Sequence, residues 1–321
     1  MLISGTVASR VQGMCKAMCP DSEIRFRCSN GMIHPLEKCE IGRSNRKFVK
    51  EYARPAAGRD HLHPECLRPP DILIETVRYL MEVYEEEKNI RFACVYAFMC
   101  DRLRAVRQDM ILQVVLPVDT VRILQEMIPF YFESDYLCRT KGCSSYDWKL
   151  HLTSLEECLS RWKEALPYVS KELISPRVIC GYILHQIPAH YAMIDIYNWK
   201  ELIPDFFYLL RDIVVSYHCN NYVRFFRKLL QLPLDHCVVA AVEAIQRLRR
   251  KTLSTLCIAY KSTQMRVPIS AMTQWLYYPD TCDLIALLSC CSVAQADSIL
   301  VSSINLNALE SEESKKLLAK L

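Results

Sequence analysis

Four groups of residues carry side chains suited to chemistry. Cys15, Cys19, Cys28 and Cys39, with His34 among them, offer thiolates and an imidazole to a soft metal. Structural zinc sites use close ligand pairs, repeated. Here the spacing is Cys-x3-Cys-x8-Cys-x10-Cys, one loose pair and two singletons, so packing is the expected role. His61-x-His63 would turn two imidazoles to one side of an extended chain, with Cys66 three residues on. No fourth ligand accompanies them and Pro64 stiffens the stretch, which points to a polar loop. His185, His190 and Asp195 suggest a hydrolytic set. Their five-residue steps overshoot a helical turn by about 140° and leave no common face, and Pro188 interrupts them. Cys180 as a nucleophile would need a positioned base that sequence does not supply. Neither a GxSxG elbow nor HExxH is present. The expectation is a non-enzyme with no catalytic, cofactor or metal site.

The fourth group is basic. Arg247, Arg249, Arg250 and Lys251 put four cations in five positions at the end of a predicted helix, and Arg224, Arg227 and Lys228 hold a similar place on the preceding one. Two accounts stand side by side. The cations complement helix C-termini on a solvated surface, or they form a phosphate-binding or partner-binding patch.

These groups must be held by helices. Hydrophobic residues make up 51% of the 321 and charged residues 24%, ordinary values for a folded chain. Gly is scarce, 7 of 321 or about 2% against a usual ~7%. None of the seven builds a Walker loop or a GxGxxG turn, which disfavours P-loop, dinucleotide-binding and kinase folds. The 17 Cys are odd in number, and the first ten residues lack the basic and apolar regions of a secretory signal. Apolar runs such as 284–296 are far shorter than the ~18–20 residues of a membrane span. A soluble intracellular protein with reduced thiols is expected. The net charge of +4 permits a nucleic-acid or acidic partner without requiring one.

Residues 1–70 are rich in Arg and Lys, hold five of the seven Gly, and end in Leu67-Arg68-Pro69-Pro70. They read as an extended basic arm with short helices, one of them a turn at Phe48–Tyr52. From Asp71 the period becomes helical. Val95, Met99, Leu103, Val106, Met110 and Val114 fall within an arc of about 100°, a core stripe. Asp101, Arg104 and Gln108 lie opposite, Arg102 and Asp109 on one border, Arg107 near the other. Pro117 should end that helix. Helices are expected at 118–134, 146–166, 175–187, 198–213, 214–230, 234–250 and 252–261, a helical-repeat body over 71–261. Residues 262–308 read as a short helix, a second helix and a strand at 298–304, the order of a winged helix. Residues 309–321 read as a charged tail that frays. The fold class is mainly α, with strands confined to the C-terminal module.

Several blocks of this sequence resemble the Sac-three/GANP family. Gly13-Met14-Cys15 with Met18-Cys19-Pro20 and Glu23 resembles its opening motif, although Met14 stands where Thr is usual. Val49-Lys50-Glu51-Tyr52 with Arg54-Pro55-Ala56-Ala57-Gly58 is similar to its second block, and Leu67-Arg68-Pro69-Pro70 with 76–80 to its third. Asp101-Arg102-Leu103-Arg104-Ala105-Val106-Arg107-Gln108-Asp109 with Gln113 resembles its most recognisable helix, and 248–304 its terminal helices. The resemblance implies a PCI-like helical-repeat superhelix closed by a winged-helix module with a small sheet. It implies no enzymatic activity, and a structural role for Cys15, Cys19, Pro20 and the Asp101–Asp109 block. Implied partners are a second PCI subunit and a small acidic peptide, with RNA or single-stranded DNA on the winged helices. Large members scaffold mRNA export at the nuclear pore and carry Phe-Gly repeats. This sequence has none and resembles the short animal branch, linked to centrosome duplication and spindle organisation. The implied location is the cytoplasm, centrosome or spindle, with the nucleus or nuclear envelope as the alternative.

Overall fold

The computed structural model describes residues 11–38, 46–54, 63–233, 235, 237–293 and 297–321. Among them are thirteen α-helices and two short strands. The chain divides into two compact units, one of residues 1–130 and 144–173, the other of 131–143 and 174–321.

The first unit holds α1 (Asp21–Ser29), α2 (Pro70–Glu87), α3 (Phe92–Gln113), the first part of α4 (Pro117–Lys141) and α5 (Trp148–Ala165). Pro70 and Pro117 each open a helix, where their missing N–H and fixed φ carry no penalty. The α3 stripe is buried as its period predicts, apart from Val114, which ends the helix exposed with φ 49°. α2 and α3 pack against each other. α4 continues well beyond residue 134. The expected helical turn at Phe48–Tyr52 is instead irregular, neither helix nor strand. Its amides are satisfied from outside: Val49 N donates to Glu37, Lys50 N to the Met18 carbonyl, Glu51 N to Glu23 and Tyr52 N to Asp101. Once those acceptors are fixed, a helix there would forfeit all four bonds.

The second unit continues with α6 (Pro176–His185), α7 (Ala192–Asn198), α8 (Phe207–His218), α9 (Tyr222–Leu229) and α10 (Val242–Ala259). The expected break near residue 251 does not occur, and α10 passes through Lys251 unbroken. Then follow β1 (Arg266–Pro268), α11 (Ile269–Leu276), α12 (Thr281–Cys290) and β2 (Ser298–Leu300). The strands pair antiparallel, Val267 opposite Ile299. Strand β2 is shorter than 298–304 because residues 301–303 turn into a 3-10 helix. Leu276, Leu284, Leu287, Ile299 and Val301 form the local core with Leu253 of α10. The tail is ordered as α13 (Glu312–Ala319), contrary to the expected fraying. Ser311 caps it through Ser314 N, two Glu occupy its first turn, and Leu317, Leu318 and Ala319 are buried.

Candidate functional site

The charged block on α3 is an internal clasp. Asp109 is fully buried between Lys50 Nζ and Arg68 Nε, each at 2.7 Å. The same Lys50 ammonium donates to the Cys66 carbonyl at 2.6 Å, and Arg68 to the Met18 carbonyl at 3.2 Å. One turn on, Gln113 donates to the Arg68 carbonyl and accepts from Gly13 N, both at 2.8 Å. A Cβ at Gly13 would stand 2.5 Å from the Leu67 carbonyl oxygen, so the arm approaches this closely only with glycine there. Toward the other end of α3, Arg102 pairs with Asp101, with Glu51 at 2.9 Å and with Glu37 at 3.4 Å. Glu37 also takes a contact from buried Arg27. Arg102 and Asp109 thus have the partners that a stripe border demands.

The face of α3 opposite the stripe is not bare. Asp101 accepts from Tyr52 N, Arg104 lies 4.0 Å over the Tyr52 ring, and Gln108 donates to the Ala53 carbonyl at 2.9 Å. Arg107 turns to α5, reaching Glu157 at 2.6 Å and Ser154. Polar periodicity alone cannot distinguish a face that meets water from one that meets a polar arm.

Cys15 and Cys19 are buried, and Pro20 precedes α1. Burial, then the nearby Glu23 carboxylate, pushes the Cys19 thiol well above its ordinary value, and burial does the same to Cys15. Cys28 is exposed. Cys39 and His61 fall outside the described residues. Among the described residues no three His, Cys, Asp or Glu side chains are arranged to hold a metal. Each of the hydrolytic candidates meets an aromatic side chain. His185 meets the Phe132 ring, His190 stacks on His218 at 5.2 Å, and Asp195 accepts from Tyr182 at 2.9 Å. The Cys180 thiol is pushed up to about 12, chiefly by burial.

The basic cluster separates into different environments. Arg249 is fully buried and does not belong to a surface patch, which corrects the expectation. It donates to the carbonyls of Leu276 at 2.9 Å, Tyr277 at 2.8 Å and Leu318 at 3.0 Å, and to that of Lys320. Its guanidinium is sandwiched 4.0 Å from the Tyr278 ring and 5.2 Å from the Phe226 ring. It therefore satisfies the C-terminal carbonyls of α11 and α13, not of its own helix. The phase of α10 carried this signal: Ile245, Arg249, Leu253 and Leu256 share one face, and the other three are apolar. Tyr278, whose phenol burial pushes up to about 12, donates to the Leu317 carbonyl at 3.1 Å and closes the same corner. Arg247 and Lys251 are exposed, and Arg250 is half-buried. Arg247 pairs with Glu243, and Arg250 with Glu310, each at 2.7 Å. On α9, Arg224 reaches Asp212 at 2.9 Å, Lys228 lies 3.9 Å from the same carboxylate, and Arg227 is exposed.

The described residues thus form a helical chain whose α3 charges are turned inward, with cations and aromatic rings left on helix surfaces. The profile of the SAC3/GANP family matches residues 18–297. The chain belongs to the SAC3/GANP family, a family of scaffold-type proteins. It is similar to SAC3 family protein B of Arabidopsis thaliana, at 25% identity over 291 residues, covering 84% of this chain and 17% of that protein. SAC3 family protein 1 of Schizosaccharomyces pombe is 31% identical over 140 residues, covering 41% and 13%. A THP3 homolog of the same yeast is 32% identical over 105 residues, covering 33% and 21%. The chain spans no more than 21% of the length of these relatives. Among the described residues no helix is long and apolar enough to cross a membrane.

Proposed function

We propose that the chain is a non-enzymatic scaffold that assembles protein partners, a second PCI-type subunit first among them. The family resemblance directs that scaffold to centrosome duplication and mitotic spindle organisation. The observation that supports it is the inward turn of the α3 block: Asp109 and Arg102 are spent on holding the arm, and Arg107 on α5.

The second reading is an mRNA-export subunit at the nuclear pore that binds RNA or single-stranded DNA. Arg247, Arg250 and Lys251 favour it. They lie on the helix that leads into β1–α11–α12–β2, and helix, strand, helix, helix, strand is a winged-helix order. Their ion pairs with Glu243 and Glu310 are solvent-accessible and worth at most about 1 kcal/mol each, so phosphates can displace the carboxylates. Imaging the tagged chain through the cell cycle separates the readings. Enrichment at centrosomes and spindle poles is expected, and a nuclear-rim pattern throughout interphase would favour export. In parallel, Arg250→Glu with Lys251→Glu should reduce the log–log salt slope of RNA affinity by roughly 0.7 per lost phosphate contact if the export reading holds.

A further inference from the structure

The second unit carries an exposed aromatic stripe that the scaffold's internal packing does not use. On α7, Tyr191, Ile194 and Tyr197 recur every three residues, with Ile194 61% and Tyr197 56% exposed. On α8, Tyr208, Arg211, Asp212 and Val215 share one face, with Tyr208 63% exposed. The two helices pack together, so the faces adjoin. Phe207 joins them: its ring lies 5.3 Å from Tyr197 and 5.1 Å from Tyr208. Arg211 stands 5.1 Å over the Tyr208 ring. The stripe is held rigidly from beneath, since Ala192, Asp195, Ile196 and Phe207 are buried and Asp195 is bonded to Tyr182.

Positive charge collects at the α8–α9 end of the stripe. Arg211, Arg224 and Lys228 share a single carboxylate, Asp212, at 3.1, 2.9 and 3.9 Å. Although burial opposes it, bonding to Arg224 and Arg211 holds the Asp212 carboxyl below its usual range, so it stays ionised. Three cations on one anion leave two positive charges at the α8–α9 end, and exposed Arg227 adds another. The connector before α8 is mixed in charge, with Glu201, Asp205 and Lys200, whose ammonium lies 5.2 Å over the Phe207 ring. Rigid tyrosines beside arginine are the composition of protein-recognition hot spots.

We propose that the α7–α8 face, with the α9 cations at its end, is a docking surface for an amphipathic protein segment that is apolar on one side and carries carboxylates toward one end. The inference rests on the scaffold reading and assigns Arg224, Arg227 and Lys228 to protein binding, apart from the α10 cations. A single-stranded nucleic acid is less well matched, because Ile194 and Val215 offer it neither stacking nor charge.

The test uses the full chain and three fluorescent probes. One is an 18-residue helix-forming peptide with Leu and Phe on one face and Glu clustered in its terminal third. The second carries Lys in place of each Glu, and the third is a 20-nucleotide oligouridylate. The acidic peptide should bind saturably with a micromolar Kd, and the Lys peptide at least about tenfold more weakly. Tyr197→Ala with Tyr208→Ala should weaken the acidic peptide by about 100-fold, a tenfold loss for each anchor. Arg211→Glu with Arg224→Glu should weaken it about tenfold or more. Arg122→Glu, an exposed charge reversal in the first unit, should leave it unchanged, and all variants should melt like the parent. No saturable binding below millimolar peptide, or undiminished binding by the tyrosine variant, overturns the proposal. So does oligouridylate binding that the tyrosine variant abolishes, which would make the stripe a nucleic-acid platform. So does a concentration-dependent dimer lost in that variant, which would make the occupant a second copy. None of these outcomes touches the localisation that tests the scaffold reading itself.

Discussion

The α3 block of the first unit turns its charged residues inward and α9 and α10 of the second leave most of their cations at the surface, although both present similar runs of arginine in the sequence. Around α3, Lys50 and Arg68 come from sequence-distant segments to meet buried Asp109, and Arg102 of α3 meets Glu37 and Glu51 of the arm. On α9 and α10, Arg224, Arg227, Arg247 and Lys251 stay in water with local partners or none needed. Arg249 is the exception that explains the rule: within a surface run, one residue falls on the apolar phase of its helix and becomes a buried cap. Desolvation makes the interior ions expensive unless every partner is present, whereas surface ions tolerate exchange of partners. The first arrangement holds a fold together and the second is available for binding.

The largest effect is expected at the centre of the clasp. Asp109→Ala leaves Lys50 and Arg68 buried without their carboxylate and should destabilise the chain by roughly 3–5 kcal/mol. Urea denaturation measures it, and an Asp109→Ala protein as stable as the parent would mean that the two cations find water and that the contrast with the second unit is false. Arg249→Ala comes next. It removes the donors from four carbonyls at the ends of α11 and α13, a loss of about 2–4 kcal/mol if those carbonyls stay dry. Lys251→Glu, two residues away and exposed, should stay within about 0.5 kcal/mol of the parent in the same melt. Equal effects of the two substitutions would erase the distinction between cap and patch.

The smallest effect is pH-dependent and sits at the edge of the clasp. His34 Nδ1 accepts from Leu36 N at 3.2 Å, and the ring lies 4.7 Å from Phe98. Burial, then the charge of Arg102, holds its pKa below the ordinary imidazole value. The unfolded chain therefore takes up a proton near pH 6.5 that the folded chain refuses, and stability falls as pH drops from there toward the folded pKa. His34→Gln, able to accept the same amide bond, should flatten the stability profile below about pH 6.5. An unaltered slope would show that His34 is charged within the fold.

Much of the helical layout was legible before any coordinates. The stripe Val95, Met99, Leu103, Val106 and Met110 repeats at the α-helical period, so α3 and its buried side follow from local order alone. Pro70, Pro117 and Pro176 fell at the expected helix boundaries, and the structure makes each the first residue of its helix, for the equally local reason that φ and the missing N–H act on the residue itself. That Arg102 and Asp109 needed partners followed from their place on the stripe's border. The β-branched stretch after residue 298 was enough to announce β2. The family blocks, read in order, announced the membership that residues 18–297 bear out.

Other features were decided only in three dimensions. Which ions met could not be read from the chain, because Asp109 draws Lys50 from 59 residues away and Arg68 from 41. Phe48–Tyr52 has no local reason to avoid a helical turn; it does so because Glu23, Glu37, Asp101 and Met18 wait for its amides. Residues 312–319 gain a helix because Arg249, Tyr278 and a buried corner accept their last turn. The sequence determined the helices and the residues that had to be paired, since those follow from period, propensity and charge within a few residues. Tertiary structure decided who pairs with whom and which cations remain for a ligand, since both depend on the water each charge loses when distant segments close over it.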